Sequence, residues 1–428
     1  MTRTGRRFRS LAWNLGSQGG AAVLGLLLIK LSVSGFSVPV YGAVALLLGL
    51  HTFARNAALN PLLNLAIYAS PQEGRTRGSG WVYRATARCL KWAAPSALVL
   101  FSILIWGLQI PIARIWGASV LLSLLLLSEA FKTARFNLLH CRDLNRRYAL
   151  WILADAASKP VAVYLATHLR AAHGVMLLVA AQVAASLAML LASSFDARIR
   201  QLEAERLDPV PPPSPAAWIT SHSAFLLPLV GVGLTGWITG LSDRYLVNHF
   251  LGAGSAGLYA GIYGLFSAPF LISGGAAILA VRPALLRLAS EGRTEAWRRL
   301  HLRSLFAMAG GVGILALLLF AIRVPLVHLV LAPAYLEALP VVPGLLIGNG
   351  IIALGTFLEQ AFYVRRRTSL VFLKQITGSA CALAFVTFAI PRWGLAGAGW
   401  ACPAYAGMEF MTALGLMRLL SFGTARRA

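Results

Sequence analysis

The chain has 428 residues, of which 58% are hydrophobic and only 12% charged, against about 25% charged in a soluble domain, and its mean hydropathy is +0.72. That excludes a soluble globular enzyme, and apolar runs of about twenty residues make the membrane span the unit to count. Lys and Arg total 38 against 14 Asp and Glu, a formal charge of +24; because the basic residues sit between the apolar runs, they read as a topology signal and an attraction to anionic membrane lipids, not as a nucleic-acid footprint.

In chain order, Arg3, Arg6, Arg7 and Arg9 precede an apolar stretch that Lys30 interrupts where a signal-peptide cleavage site would be sought, so the stretch reads as an uncleaved first helix. Twelve spans are expected, at about 11–34, 41–66, 85–108, 114–137, 148–167, 174–195, 217–241, 255–281, 303–331, 339–362, 370–390 and 394–419. On one side fall the N-terminus, Arg75 to Lys91, Lys132 to Arg147, Arg198 to Arg206, Arg282 to Arg303, Arg365 to Lys374, and the tail with Arg418, Arg426 and Arg427, which together hold 30 of the 38 basic residues. The other side carries only Arg114, Arg170, Arg244 and Arg392, with Arg323 close by. The basic excess places both termini in the cytoplasm.

The outward loops are short, so a membrane glycosyltransferase or polymerase would lack the outer loop on which its chemistry is expected. No Walker, GxGxxG or nucleophile–base pattern lies in a loop that could serve it. Cys89, Cys141, Cys381 and Cys402 are too scattered for a metal site or a disulfide framework. The expectation is no enzymatic activity, no cofactor and no metal.

The longest polar stretch, Asp196 to Ala216, reads as a short helix followed by a stiff proline-rich linker with Pro209, Pro211, Pro212, Pro213 and Pro215. It divides the chain into a first six-helix lobe (1–195), a cytoplasmic linker (196–216) and a second six-helix lobe (217–428). Internal similarity supports the division. Phe36 to Gly42, after the first span, aligns with Leu251 to Gly257, after the seventh, and His173-Gly174-Val175 aligns with Trp393-Gly394-Leu395 at the opening of the sixth and twelfth. Six spans per repeat keep the same orientation, so the repeat is parallel.

The stretch Phe225-Leu226-Leu227-Pro228, Ser242-Asp243-Arg244-Tyr245, Phe250-Leu251-Gly252-Ala253 and Gly257-Leu258-Tyr259-Ala260 resembles the start of the second half of the polysaccharide-export (Wzx-type) flippases, a branch of the MATE-like superfamily. Asn14 with Ser17-Gln18, Tyr41-Gly42, Ala332-Pro333-Ala334-Tyr335 and Trp393 to Ala398 fall where that family's patterns fall. Ser37 stands where the family usually has Gly. The resemblance implies an all-α polytopic protein of twelve transmembrane helices in two six-helix lobes, working by alternating access in the bacterial cytoplasmic membrane. Its cargo would be an undecaprenyl-pyrophosphate-linked oligosaccharide, moved from the cytoplasmic to the outer leaflet for O-antigen, capsule or exopolysaccharide synthesis. Partners would be that lipid-linked oligosaccharide, membrane lipids, and the polysaccharide polymerase and chain-length machinery. An ion-coupled multidrug exporter of the same superfamily is the alternative.

A pyrophosphate cargo needs fixed cations in the spans, where each ionisable group is costly and needs a cavity or partner. Arg55 lies about 21 Å from the outer end of the second span at 1.5 Å per residue, with His51 one turn before it and Asn56, Asn60 and Asn64 in an i, i+4, i+8 strip. It reads as a phosphate contact, with Asn56 and Asn60 beside it for phosphate or sugar, or as an interhelical structural bond. Lys30 is a phosphate contact or a snorkelling lysine. Lys159 and Asp155, at i and i+4, read as a self-neutralising pair, with Lys159 a further substrate contact. Glu129, Glu359 and Glu409 are candidates for ion coupling or for pairing with basic neighbours. Asp243 and Arg244, expected at the outer end of the seventh span, read as a gate or lobe contact.

Overall fold

The computed structural model describes residues 3–70, 73–110, 112, 114–142, 144–168, 174–205, 207, 210–364 and 367–425. Arg170, His173, Arg206, Arg365, Arg366, Arg426 and Arg427 lie outside the described residues, as do the side chains of the N-terminal arginines, Asn14 and Arg75.

Helix is the only regular structure among the described residues, as expected where hydrocarbon offers the backbone no hydrogen-bond partner. Nine of these helices are long and apolar enough to cross a membrane, or ten with the pair Ser79–Ala93 and Pro95–Gly107, bent by 43° where Pro95 has no N–H for the ladder. Two of the ten are too long for one crossing, at 67 residues for Ser223–Ala289 and 50 for Ser369–Arg418, when about 20 suffice. Each contains a single non-helical residue, Gly252 at φ 84° and Gly394 at φ 56°, in the left-handed region that glycine enters without a Cβ penalty.

Divided at those glycines, the described residues give twelve helices of the kind that could cross a membrane. They are α1 (Arg3–Gly35), α2 (Val38–Ala69), α3 (Ser79–Gly107), α4 (Ile115–Cys141), α5 (Asn145–His168), α6 (Gly174–Phe195), α7 (223–251), α8 (253–290), α9 (Thr294–Ala321), α10 (Pro333–Tyr363), α11 (368–393) and α12 (395–425). Several expected edges move. α7 continues to residue 251 instead of ending near 241, so Asp243 and Arg244 lie inside a helix and not at its outer end. Lys132 and Arg135 belong to α4 and Lys374 to α11, inside the expected spans 114–137 and 370–390, although the charge pattern counts them with the adjoining loops.

The described chain divides into two compact units, Met1–Leu234 and Thr235–Ala428. In the first, α1 packs along α5, and α4 lies between α3 and α6. In the second, α10 packs against α9 and against the 368–425 helices.

The polar stretch after α6 is a strap fixed to the first unit. Asp196 caps the short helix Ala197–Ala204 by accepting the N–H groups of Arg198 and Ile199, the usual role of an N-cap carboxylate. Beyond it, Glu205 accepts from the Ser79 backbone and hydroxyl and from the Arg142 guanidinium. Arg84 donates to the Glu203 carbonyl at 2.9 Å, Trp81 Nε1 to the Val210 carbonyl at 3.0 Å, and Arg88 to the Pro212 carbonyl. The strap lies so close to α3 that a Cβ at Gly80 would stand 2.2 Å from the Glu203 carbonyl oxygen. Beside it, Trp81 and Trp218 meet edge to face at 5.5 Å in a cluster with Leu65, Ala69, Val82 and Leu226.

Candidate functional site

Arg55 begins a five-residue π turn, Arg55–Leu59, inside α2. Pro61 follows at once, and because it cannot donate to the ladder, a wider turn before it is a low-cost adjustment. The carbonyl of Asn56 in this turn is met by α7, where a Cβ at Gly233 would lie 2.2 Å from it. Asn60 Nδ2 donates to Asn56 Oδ1 at 2.8 Å, so two members of the asparagine strip are bonded to each other, while Asn64 is exposed.

Arg55 Nη1 lies 3.3 Å from Glu129 Oε2, across from α2 to α4. The same carboxylate accepts from Lys159 Nζ of α5 at 2.6 Å and has His51 Nε2 at 3.5 Å. Asp155 is engaged elsewhere: it accepts from Lys132 Nζ at 2.5 Å. The expected Asp155 and Lys159 pair within one helix is therefore replaced by two ion pairs between α4 and α5. The physical reason is Lys132, buried at 3% side-chain exposure, which requires a carboxylate and takes the adjacent one.

Together the cluster holds three basic side chains, Arg55, Lys132 and Lys159, against two carboxylates, Glu129 and Asp155. Glu129 and Lys132 are buried, but the Arg55 side chain is 42% exposed. The excess cation therefore faces outward on the residue that has the most donors to offer a ligand. Lys30, on α1, is exposed and has no ion pair among the described residues; it is not part of this cluster.

The second unit carries a different arrangement. Lys374 of α11 is buried and gripped by two carboxylates, Glu359 of α10 and Glu409 of α12, the latter at 2.7 Å. One turn along, the hydroxyls of Thr377 and Thr412 are 3.2 Å apart. Two of the ion-coupling candidates are thus joined through Lys374, which lies in the expected span 370–390 although the charge pattern counts it with the preceding loop. Its signal was present, since two intramembrane glutamates both needed a cation and Lys374 lies in an apolar run. Asp243 is also buried; it accepts the Tyr259 hydroxyl at 2.5 Å and the Arg244 backbone N–H at 2.8 Å, while the Arg244 guanidinium stacks 5.0 Å from the Tyr263 ring centroid. No group of three or more His, Cys, Asp or Glu suited to a metal occurs among the described residues.

The architecture is shared with solved transporters. An inward-facing multidrug-resistance MATE-family transporter of the MOP superfamily aligns with a TM-score of 0.73 at 14% identity, covering 94% of this chain and 96% of that one. The lipid II flippase MurJ in an inward closed conformation aligns with a TM-score of 0.66 at 12% identity, over 96% of this chain and 87% of that one. A eukaryotic MATE transporter, AtDTX14, gives 0.66 at 13% identity over 97% and 96%. No protein-family model matches the chain, and no curated relative matches it. At such identities the likeness is one of fold: all-α, polytopic, the two-lobe alternating-access architecture of the MATE transporters.

Proposed function

We propose that the chain is a flippase that carries a lipid-linked oligosaccharide, through its pyrophosphate headgroup, from the cytoplasmic to the outer leaflet of a bacterial cytoplasmic membrane, as in the Wzx-type branch it resembles. The observation that carries this is the cluster around Arg55, in which basic groups outnumber carboxylates and the most exposed member is a guanidinium. A guanidinium in an apolar span is costly, and its planar fork suits phosphate oxygens. Asn56 and Asn60 offer amide contacts beside it. Lys159 supplies a second cation, and Lys30 a cation nearer the end of α1. Both termini and the strap would face the cytoplasm, and the second unit, with Glu359 and Glu409 sharing Lys374, would couple transport to an ion. Asp243 and Arg244 would brace the second lobe for gating.

Removing the protein should leave lipid-linked glycan synthesised but confined to the cytoplasmic leaflet, with surface polymer absent. Failure of the lipid-linked units to form at all would instead make the chain a transferase. The multidrug reading draws on the likeness to the multidrug-resistance transporter, but cationic drugs favour an acidic cavity, whereas the cluster here is basic.

A further inference from the structure

The Arg55 cluster contains a group that a phosphate site does not need for binding. Glu129 is held by Lys159 at 2.6 Å and Arg55 at 3.3 Å, with His51 Nε2 3.5 Å away, and its side chain is only 7% exposed. Asp155 is committed to Lys132, so Glu129 is the carboxylate that opposes both Arg55 and Lys159. The two contacts differ. The Lys159 bond has the length of a strong charge-assisted hydrogen bond, about 2.7–2.9 Å or shorter, whereas the Arg55 contact is longer and uses one of five guanidinium donors.

From this geometry we infer that Glu129 is a built-in counter-anion, which occupies the cations of the site in the place a phosphate would take and thereby lowers the affinity for one. The inference rests on the reading of Arg55 as the phosphate contact. Its physical content is electrostatic. In a poorly screened span an unaccompanied guanidinium is costly, and Glu129 offsets that cost while the site is empty. An incoming pyrophosphate carries more than one negative charge, engages the free donors of Arg55, and competes with a single carboxylate held there by the longer of its contacts to Arg55 and Lys159. Glu129 is thus a positioning residue that also sets how readily cargo leaves, since the carboxylate can return to Arg55 as the phosphate departs.

The test uses the purified full-length protein in detergent, with a short-chain isoprenyl pyrophosphate as probe and calorimetry as readout. Glu129→Gln is expected to tighten binding about tenfold or more, from the loss of a like charge beside the phosphate at an intermediate effective dielectric. Glu129→Asp, which keeps the charge, should stay within a few-fold of wild type, and Arg55→Ala should abolish binding. Unchanged or weaker binding by Glu129→Gln, with Arg55→Ala still defective, overturns the counter-anion while leaving the phosphate reading in place. Wild-type binding by Arg55→Ala overturns the phosphate reading itself. Should Glu129→Gln fold poorly, Glu129→Gln with Lys159→Met removes one charge of each sign; it should bind more tightly than Lys159→Met alone, and equal affinities overturn the inference.

Discussion

The ammonium of Lys159 lies 2.6 Å from Glu129 on the neighbouring helix, although Asp155 stands one turn before it on its own helix. Both carboxylates therefore serve as ties between α4 and α5: Glu129 to Lys159, and Asp155 to Lys132. These two ties add to the ring contacts Phe136–Trp151 and His140–Tyr148 between the same helices.

Asp155→Asn should leave Lys132 buried without a carboxylate and reduce folded protein in the membrane, at a cost of about 3–5 kcal/mol for breaking a buried pair. Asp155→Asn combined with Lys132→Met should recover much of the loss. Fluorescence-detected size exclusion of the single and double variants reads this directly. If Lys132→Met alone were as well folded as wild type and gave no coupling with Asp155→Asn, the crossed pairing would be wrong.

For Arg55, the Ala variant should abolish export per folded molecule, and the Lys variant should retain part of it, because the charge persists while the fork is lost. A structural role predicts another pattern, in which Arg55→Ala leaves Glu129 to Lys159 and His51 and export continues. Export assayed against membrane abundance distinguishes the two.

Lys374→Met should strand both Glu359 and Glu409 and deplete folded protein, whereas Glu409→Gln leaves one carboxylate for the lysine and should fold. If this triad couples transport to an ion, Glu409→Gln and Glu359→Gln should each lose the response of export to an imposed proton gradient in proteoliposomes. A full response in both variants would place the coupling elsewhere.

The strap should loosen in acid. Burial pushes the Glu205 carboxyl up, but hydrogen bonds from Ser79 and Arg142 together with the Arg142 charge outweigh it and hold the group below its ordinary value of 4.5. Asp196 behaves alike: burial raises it, while the Trp151 N–H, the Ile199 and Arg198 amides and the Arg147 charge bring it below 3.8. Both groups therefore stabilise the docked strap above those ordinary values, and the contribution is lost as pH falls through the lower docked-state values. The protection of the Leu207 amide, which donates to the Arg77 carbonyl at 3.2 Å, should fall below about pH 4.5 when its hydrogen exchange is compared with the intrinsic rate at each pH. Glu205→Gln should show fast exchange already at neutral pH.

Much of the fold was legible because a span is a coarse signal: about twenty apolar residues between basic loops. Gly252 and Gly394 were found as repeat positions and prove to be the breaks between paired spans. The helix of the seventh span runs past its expected edge near 241, so Asp243, expected as a gate or lobe contact at the outer end, is buried within it against Tyr259. The site was legible one residue at a time, since a lone Arg55 or Glu129 in a span is conspicuous. Its wiring was not. Partner choice between Asp155 and Glu129 depends on which helix lies alongside, and hydropathy is silent about that. Lys132 and Lys374 lie in the expected spans 114–137 and 370–390, but counting them with the loop arginines says nothing of which carboxylates they meet.

Among the described residues, three contacts of the strap with α3 end on main-chain carbonyls, those of Glu203, Val210 and Pro212, and Leu207 is held through its own amide. Such bonds are blind to what side chain the strap carries and sensitive to how many residues separate them. Past Glu205, whose carboxylate is itself a contact, the chain as far as Pro212 should accept exchange of one residue type for another far more readily than the insertion or deletion of one, which would slide the later carbonyls past their donors. In this segment spacing, more than spelling, is what inheritance has to preserve.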